Sequence, residues 1–207
     1  HLLIEVHIVY LPGNVQLKLI KINANSDVSI ADEYYIGSFE VTQLQYRVVM
    51  RENPSAFQGK TLPVENVSWD MAMMFCDKLT AGGHALAGWK FTLPTSEQWE
   101  FACRAGTKTL FSCGDTLGVK DANFSRTQFM KTVIVGSFPP NAFGLYDMHG
   151  NVWEWCSNSV PAKKGSSEKY SKFLPHKGER LIFTPGPSKT FMFCFLASIP
   201  NVLPIIF

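Results

Sequence analysis

The chain has 207 residues, which is long enough for one domain with a substantial buried core. Hydrophobic residues make up 46% of it and charged residues 17%, a balance that excludes an intrinsically disordered chain and favours a folded globule. The formal net charge of +2 is too small for the basic surface of a nucleic-acid-binding protein, so we expect no nucleic-acid partner.

Neither end of the chain predicts a signal peptide or a membrane-spanning helix. The apolar residues 1–11 are interrupted by Glu5 and His7, and no basic region or cleavage site accompanies them. The apolar residues 191–207 contain two prolines and fall short of the roughly 20 residues that a span requires. Because the chain does not begin with methionine, we allow for its being one module of a longer chain, and its compartment stays open.

The first predicted elements are a strand and a capped helix. Val15–Ile22 alternates partly between apolar and polar residues, which predicts a strand. Residues 34–41 predict a second strand that leads directly into a helix. Thr42 is a good N-cap with Gln45 three residues later, the pattern of a capping box.

Two more helices and a short strand are predicted further along. Ser68 caps a helix whose apolar residues recur at helical spacing and which ends at residues 82–83; these residues are Ala72, Phe75, Cys76 and Leu79. Residues 89–93 predict a short strand. Thr95 and Gln98 repeat the capping box at the start of a third helix, whose buried stripe is expected to be Trp99, Ala102 and Cys103. Residues 105–140 show no sustained period, and such a region needs a metal or packed aromatic residues to order it.

Residues 141–155 combine turn-forming residues with two carboxylates. Gly144, Gly150 and Asn151 favour positive φ angles, while Asp147 and Glu154 lie across a tight turn. Carboxylates and turned-in carbonyls are the ligands that calcium prefers. If the Trp-Glu-Trp run is an extended strand, both indoles lie on one face and the acid on the other.

The residues alone leave a second interpretation of these carboxylates open. Asp147 can simply cap a turn, and Glu154 can pair with a buried arginine such as Arg104. His84 and His149 have no partner at metal-ligand spacing, so we expect ordinary core or surface imidazoles.

Several runs of residues resemble one protein family. Residues 144–155, Gly-Leu-Tyr-Asp-Met-His-Gly-Asn-Val-Trp-Glu-Trp, are similar to a signature of the formylglycine-generating enzyme and sulfatase-modifying factor family. Other matching runs occur in the family's order, at residues 35–43, 53–55, 62–69 and 93–106.

The resemblance covers roughly residues 34–158 and implies an α+β, C-type lectin-like fold. Such a fold has a few short helices, small antiparallel sheets and much irregular structure. We expect a single domain over residues 1–207, with residues 1–33 and 159–207 divergent from the family.

The same resemblance implies two calcium sites. For one ion it implies the side chains of Asp147 and Glu154 and the carbonyls of Gly150 and Val152. For the other it implies Asn123, the carbonyl of Phe124 and a downstream acid, which residues 125–131 do not contain.

Catalytic members of the family hold copper between two closely spaced thiolates in the C-terminal part. The chain has five cysteines, Cys76, Cys103, Cys113, Cys156 and Cys194, with no Cys-x-x-Cys pair. Only Cys194 lies in the corresponding part of the chain, and Cys156 is the other thiol that folding could bring to it. One thiol cannot reproduce the two-sulfur geometry of copper(I).

Three functions follow as hypotheses. The first is an oxygen-dependent oxidoreductase that converts a cysteine of a protein or peptide substrate to formylglycine, as in sulfatase maturation, here with an incomplete catalytic pair. The second is a non-catalytic module that binds a ligand or a protein on the same scaffold. The third is the family's iron-dependent sulfoxide synthase branch, which needs histidines on a partner domain.

Overall fold

The structure is a computed structural model that describes residues 3–25, 30, 32–124, 127 and 129–158, together with the backbone of Val202–Pro204. The candidate thiol Cys194 lies outside these residues.

A three-stranded antiparallel sheet forms the centre of the fold. Its strands are β1 (Val6–Leu11), β2 (Val15–Ile22) and β3 (Tyr34–Gly37), in the order β1-β2-β3. The alternation of residues 15–22 correctly predicted β2. The edge strand β1 was not predicted from the sequence. It pairs with β2 across a tight turn, with Leu11 opposite Val15.

The turn between β1 and β2 depends on two residues with positive φ. Gly13 has φ 76° and Asn14 has φ 60°, values that glycine and asparagine adopt more readily than other residues. The sequence therefore held a hairpin signal, Gly-Asn between two apolar runs.

Three α-helices begin at the predicted caps. They are α1 (Gln43–Met50), α2 (Trp69–Ala81) and α3 (Ser96–Arg104). Both capping boxes are complete, because Thr42 and Thr95 each exchange side-chain and backbone hydrogen bonds with the glutamine three residues later. The local rule confirms these helix starts.

A fourth strand, β4 (Lys90–Thr92), follows α2. It pairs in parallel with the backbone of β5 (Val202–Pro204), so residues near the end of the chain return to the domain.

Two apolar clusters lie on opposite faces of the sheet. The first joins the sheet to α1 and α2, where the rings of Tyr46 and Phe75 stack with centroids 5.6 Å apart. The second joins the sheet to α3 through Ile20, Ile36 and Ala102. Leu145 and Met148 belong to this second cluster, and they anchor the segment that carries the candidate carboxylates.

The described residues between 105 and 140 form no helix or strand, as the sequence indicates. Aromatic contacts and side-chain hydrogen bonds order them: Phe129 packs edge-on against Phe138 with centroids 6.3 Å apart. None of the helices in the described residues is long and apolar enough to cross a membrane.

Candidate functional site: a buried carboxylate loop

Asp147 is a buried carboxylate with one unsatisfied oxygen. The residue is 6% exposed, and its φ of 59° places it at a turn. Its Oδ2 accepts a hydrogen bond from the backbone N–H of Gly136 at 2.5 Å, but Oδ1 is buried without a partner. Burial raises the pKa of Asp147 to about 6, and the Gly136 hydrogen bond opposes part of that rise.

Glu154 lies near Asp147 and is held by a tryptophan. Its Oε2 accepts a hydrogen bond from the indole N–H of Trp99 on α3. Burial raises the pKa of Glu154 to about 8, and the negative charge of Asp147 contributes to the same rise. Arg104, the partner considered as an alternative, donates from its Nε to Glu100 at 2.8 Å.

A third carboxylate, Glu40, was missed by the sequence reasoning. It follows β3, is 1% exposed, and lies against the candidate loop. Its Oε2 accepts from the Asn151 side-chain amide at 2.9 Å and its Oε1 from the Val152 N–H at 3.3 Å. Burial raises the pKa of Glu40 well above its usual range, with the charge of Asp147 adding to the effect. The sequence feature that could have predicted this buried acid is its position between two apolar residues, Phe39 and Val41.

The loop itself makes a tight turn over these groups. The Gly150 N–H donates to the Asp147 carbonyl at 3.1 Å, and the Val152 N–H donates to the Gly150 carbonyl at 3.0 Å. A Cβ on Gly150 would lie 2.2 Å from the carbonyl oxygen of Asn123, so only glycine allows this approach of the two segments.

The strand arrangement considered for the Trp-Glu-Trp run is wrong. Residues 153–155 are irregular, and the two indoles do not share a buried face. Trp153 is 54% exposed, whereas Trp155 packs against the first apolar cluster and donates its indole N–H to the Val67 carbonyl at 2.9 Å. Tertiary contacts, rather than a period of two, decide these orientations.

His149 is engaged by protein atoms at both ring nitrogens. Its Nε2 accepts from the Ser112 backbone N–H at 2.9 Å, and its Nδ1 lies 3.8 Å from the Cys103 sulfur. Burial lowers the pKa of His149, and the charge of Arg104 lowers it further, which favours the neutral imidazole.

The cysteines of the described part do not fit copper. Cys76, Cys103 and Cys156 are buried and Cys113 is exposed. Burial raises the pKa of the Cys76 and Cys103 thiols, which disfavours the thiolate that copper binds. Within the described ranges, no group of three or more His, Cys, Asp and Glu side chains is arranged to hold a metal.

The carboxylate loop fits calcium better, because calcium takes carbonyl oxygens as well as carboxylates. An orphaned buried oxygen on Asp147 and a nearby carboxylate on Glu154 form a concentration of negative charge. A divalent cation bound there would satisfy the orphaned oxygen and the charge together.

The chain combines an α+β scaffold with a turned loop whose sequence is Gly-Asn-Val-Trp-Glu-Trp. This combination is that of the sulfatase-modifying factor domains. Residues 4–190 match the family model of the sulfatase-modifying factor enzyme 1-like domain, and the chain belongs to that family. The resemblance seen in the sequence and the expected fold class are thereby confirmed.

Relatives of the chain differ in the activities that their names state. It is 30% identical over 181 residues to the chaperone protein LppX of Paenibacillus barcinonensis, covering 64% of each chain. It is 33% identical over 131 residues to the formylglycine-generating enzyme of Mus musculus, covering 56% of this chain and 32% of that one. The chain therefore spans under two thirds of the length of both relatives.

A solved structure has the same architecture. The Treponema denticola variable protein 1 is 28% identical, with a TM-score of 0.59 over 75% of this chain and 77% of that one.

Proposed function

We propose that this chain is a formylglycine-generating-enzyme-like domain that binds a polypeptide, and that its described part does so without catalytic thiols. The observation that carries the proposal is an apolar cavity of about 590 Å³, open to the surface.

The lining of the cavity indicates the chemistry of the ligand. Phe129 and Ile134 are 44% and 55% exposed, and Phe57 and Phe138 complete an aromatic wall. Exposed apolar surface of this kind is typical of a binding site. Among the described residues that line the cavity, Lys131 is the only charged one, so we expect the ligand to combine apolar and aromatic side chains with one carboxylate.

The names of the relatives support polypeptide binding. LppX is named a chaperone protein, and a chaperone binds other polypeptides. The burial of Cys76, Cys103 and Cys156 supports binding without oxidation by these thiols.

Fluorescence anisotropy tests this proposal with a fluorescein-labelled 12-residue peptide that contains Leu, Phe and Glu. Ile134→Asp places a charge in the cavity, and we expect at least a tenfold weaker affinity, about 1.4 kcal/mol. Val119→Asp is the matched control, because Val119 is 63% exposed and does not line the cavity. Equal loss in both variants, or no binding to the wild-type chain, would overturn the proposal.

A second candidate is the oxidation of a substrate cysteine to formylglycine, which family membership and the identity to the mouse enzyme support. Burial disfavours the thiolate form of Cys76 and Cys103, and the family resemblance places the catalytic thiols in the C-terminal part, so this function requires Cys194 together with a second thiol such as Cys156. The test is an aerobic, copper-loaded assay on a peptide with the family's Cys-x-Pro-x-Arg motif, read by mass spectrometry. Conversion that is lost in Cys194→Ser supports this function, and no conversion by the folded protein contradicts it.

We also propose that the carboxylate loop binds a structural calcium ion. Asp147 and Glu154 provide the side-chain ligands, and Gly150 and Val152 provide carbonyl oxygens. The orphaned Oδ1 of Asp147 is the observation that supports this assignment.

A further inference from the structure

Thr127 contacts both of the oxygen atoms that the family resemblance assigns to another calcium ion. Its hydroxyl lies 2.8 Å from the side-chain Oδ1 of Asn123 and 2.8 Å from the carbonyl oxygen of Phe124. Its backbone N–H also donates to the Phe124 carbonyl at 2.8 Å. One threonine therefore supplies the hydrogen-bond donors for these two oxygens, and it is itself only 4% exposed.

The side-chain nitrogen and the backbone carbonyl of Asn123 are also hydrogen-bonded. Its amide nitrogen donates to the Lys131 carbonyl at 2.9 Å and lies 3.3 Å from the Asn151 side-chain oxygen. Its own carbonyl accepts from the Asn151 N–H at 2.8 Å. Asn123 is 1% exposed and has no orphaned side-chain atom, in contrast to Asp147 with its unsatisfied Oδ1.

Local charge also distinguishes the position at Asn123 and Phe124 from the loop with Asp147 and Glu154. Residues 125–131 contain no acid, and they end in Lys131. Calcium affinity rises with the number of carboxylate ligands, so one amide and one carbonyl make a poor site. Asp147 and Glu154, by contrast, bring two carboxylates together.

The hydrogen bonds of Asn151 extend this set of contacts into a network that joins three segments. Its side chain donates to Glu40 at 2.9 Å and accepts from the Val133 N–H at 2.9 Å. Together with Asn123, it ties the segment after β3 and residues 123–133 to the carboxylate loop. Cross-linking of irregular segments is the structural work that a bound ion would otherwise perform.

We propose that the chain binds one calcium ion rather than two, and that the Thr127–Asn123–Asn151 network takes the place of the other ion. This inference rests on the proposed calcium site at Asp147 and Glu154. What the inference adds to that site is that Asn123 and Phe124 are not metal ligands in this chain.

The test is the number of calcium ions bound per full chain. The protein is dialysed against calcium, and its metal content is measured by inductively coupled plasma mass spectrometry. We expect one ion per chain in the wild-type protein and none in Glu154→Gln. Two ions would overturn this inference while leaving the proposed loop site intact. No bound ion in the wild-type protein would overturn the proposed loop site on which the one-ion inference rests, and one ion retained in Glu154→Gln would overturn both.

A variant at the network gives an independent measurement. Asn123→Asp adds a carboxylate but removes two amide donors, so we expect one ion still and a melting temperature roughly 2–6 °C lower that calcium does not restore. Asn14→Asp is the matched control, since Asn14 is exposed and its positive φ suits either residue. A second bound ion or a calcium-dependent recovery in Asn123→Asp would show that this position lies at a calcium site, which would contradict the inference.

Discussion

Without calcium at the proposed loop site, the stability of the protein should depend on pH in an unusual direction. The pKa of Asp147 rises from 3.8 to about 6 on folding, a difference of about 2 units. At 1.36 kcal/mol per unit, this corresponds to about 3 kcal/mol in the free energy of unfolding. Because the folded pKa is raised, this contribution is fully present below about pH 4 and is lost as pH rises through about pH 6.

Glu154 extends the same trend, since its pKa is raised to about 8. These two carboxylates should therefore make the calcium-free protein less stable as the pH rises from about 4 to about 8. A calcium ion at the proposed site would bind the ionised carboxylates and oppose the trend at neutral pH, where an ion at 100 times its Kd contributes about 2.7 kcal/mol.

Thermal melts in a chelator and in calcium, from pH 4.5 to pH 8, provide the measurement. A change of 3 kcal/mol corresponds to about 6–12 °C in Tm for a chain of this size. Asp147→Asn should remove the part of the slope between about pH 4 and pH 6, while Asp77→Asn, an exposed carboxylate on α2, should keep it. A chelated protein that gains stability from pH 4.5 to pH 8 would refute the reasoning.

Three further changes test the fold. Phe75→Ala should lower the free energy of unfolding, measured by chemical denaturation, by about 3–5 kcal/mol, because Phe75 is fully buried. The control is Met74→Ala, which should change that free energy by less than about 0.5 kcal/mol because Met74 is 48% exposed. Gly150→Ala should cost about 1–3 kcal/mol, since its Cβ would overlap the Asn123 carbonyl, and an unchanged Tm would contradict the close approach. Thr42→Ala should cost about 1 kcal/mol through the lost cap of α1, as measured by urea unfolding; a neutral result would mean that the capping box contributes nothing.

The helices could be predicted because their signals are local. Thr42 and Thr95 each meet a glutamine three residues away, so the hydrogen bonds of the cap form wherever the helix starts. The apolar spacing of α2 likewise identified its buried face, which includes Phe75 and Cys76.

The edge strand β1 was harder to predict because its exposed positions are also apolar. Val6, Ile8 and Tyr10 are 43%, 40% and 54% exposed, and they alternate with residues that are more buried. This composition hides the period of two that identifies a half-buried strand.

The sequence by itself determined the family, the helix caps and the turned loop with Asp147 and Glu154. These features depend on residue identity and on spacings of a few residues. Only the tertiary structure decided which groups the loop meets: Glu40 accepts a hydrogen bond from Asn151, 111 residues away, and Thr127 donates to the side-chain oxygen of Asn123. A buried polar atom takes whichever donor packing brings within reach, and that choice is made between distant segments.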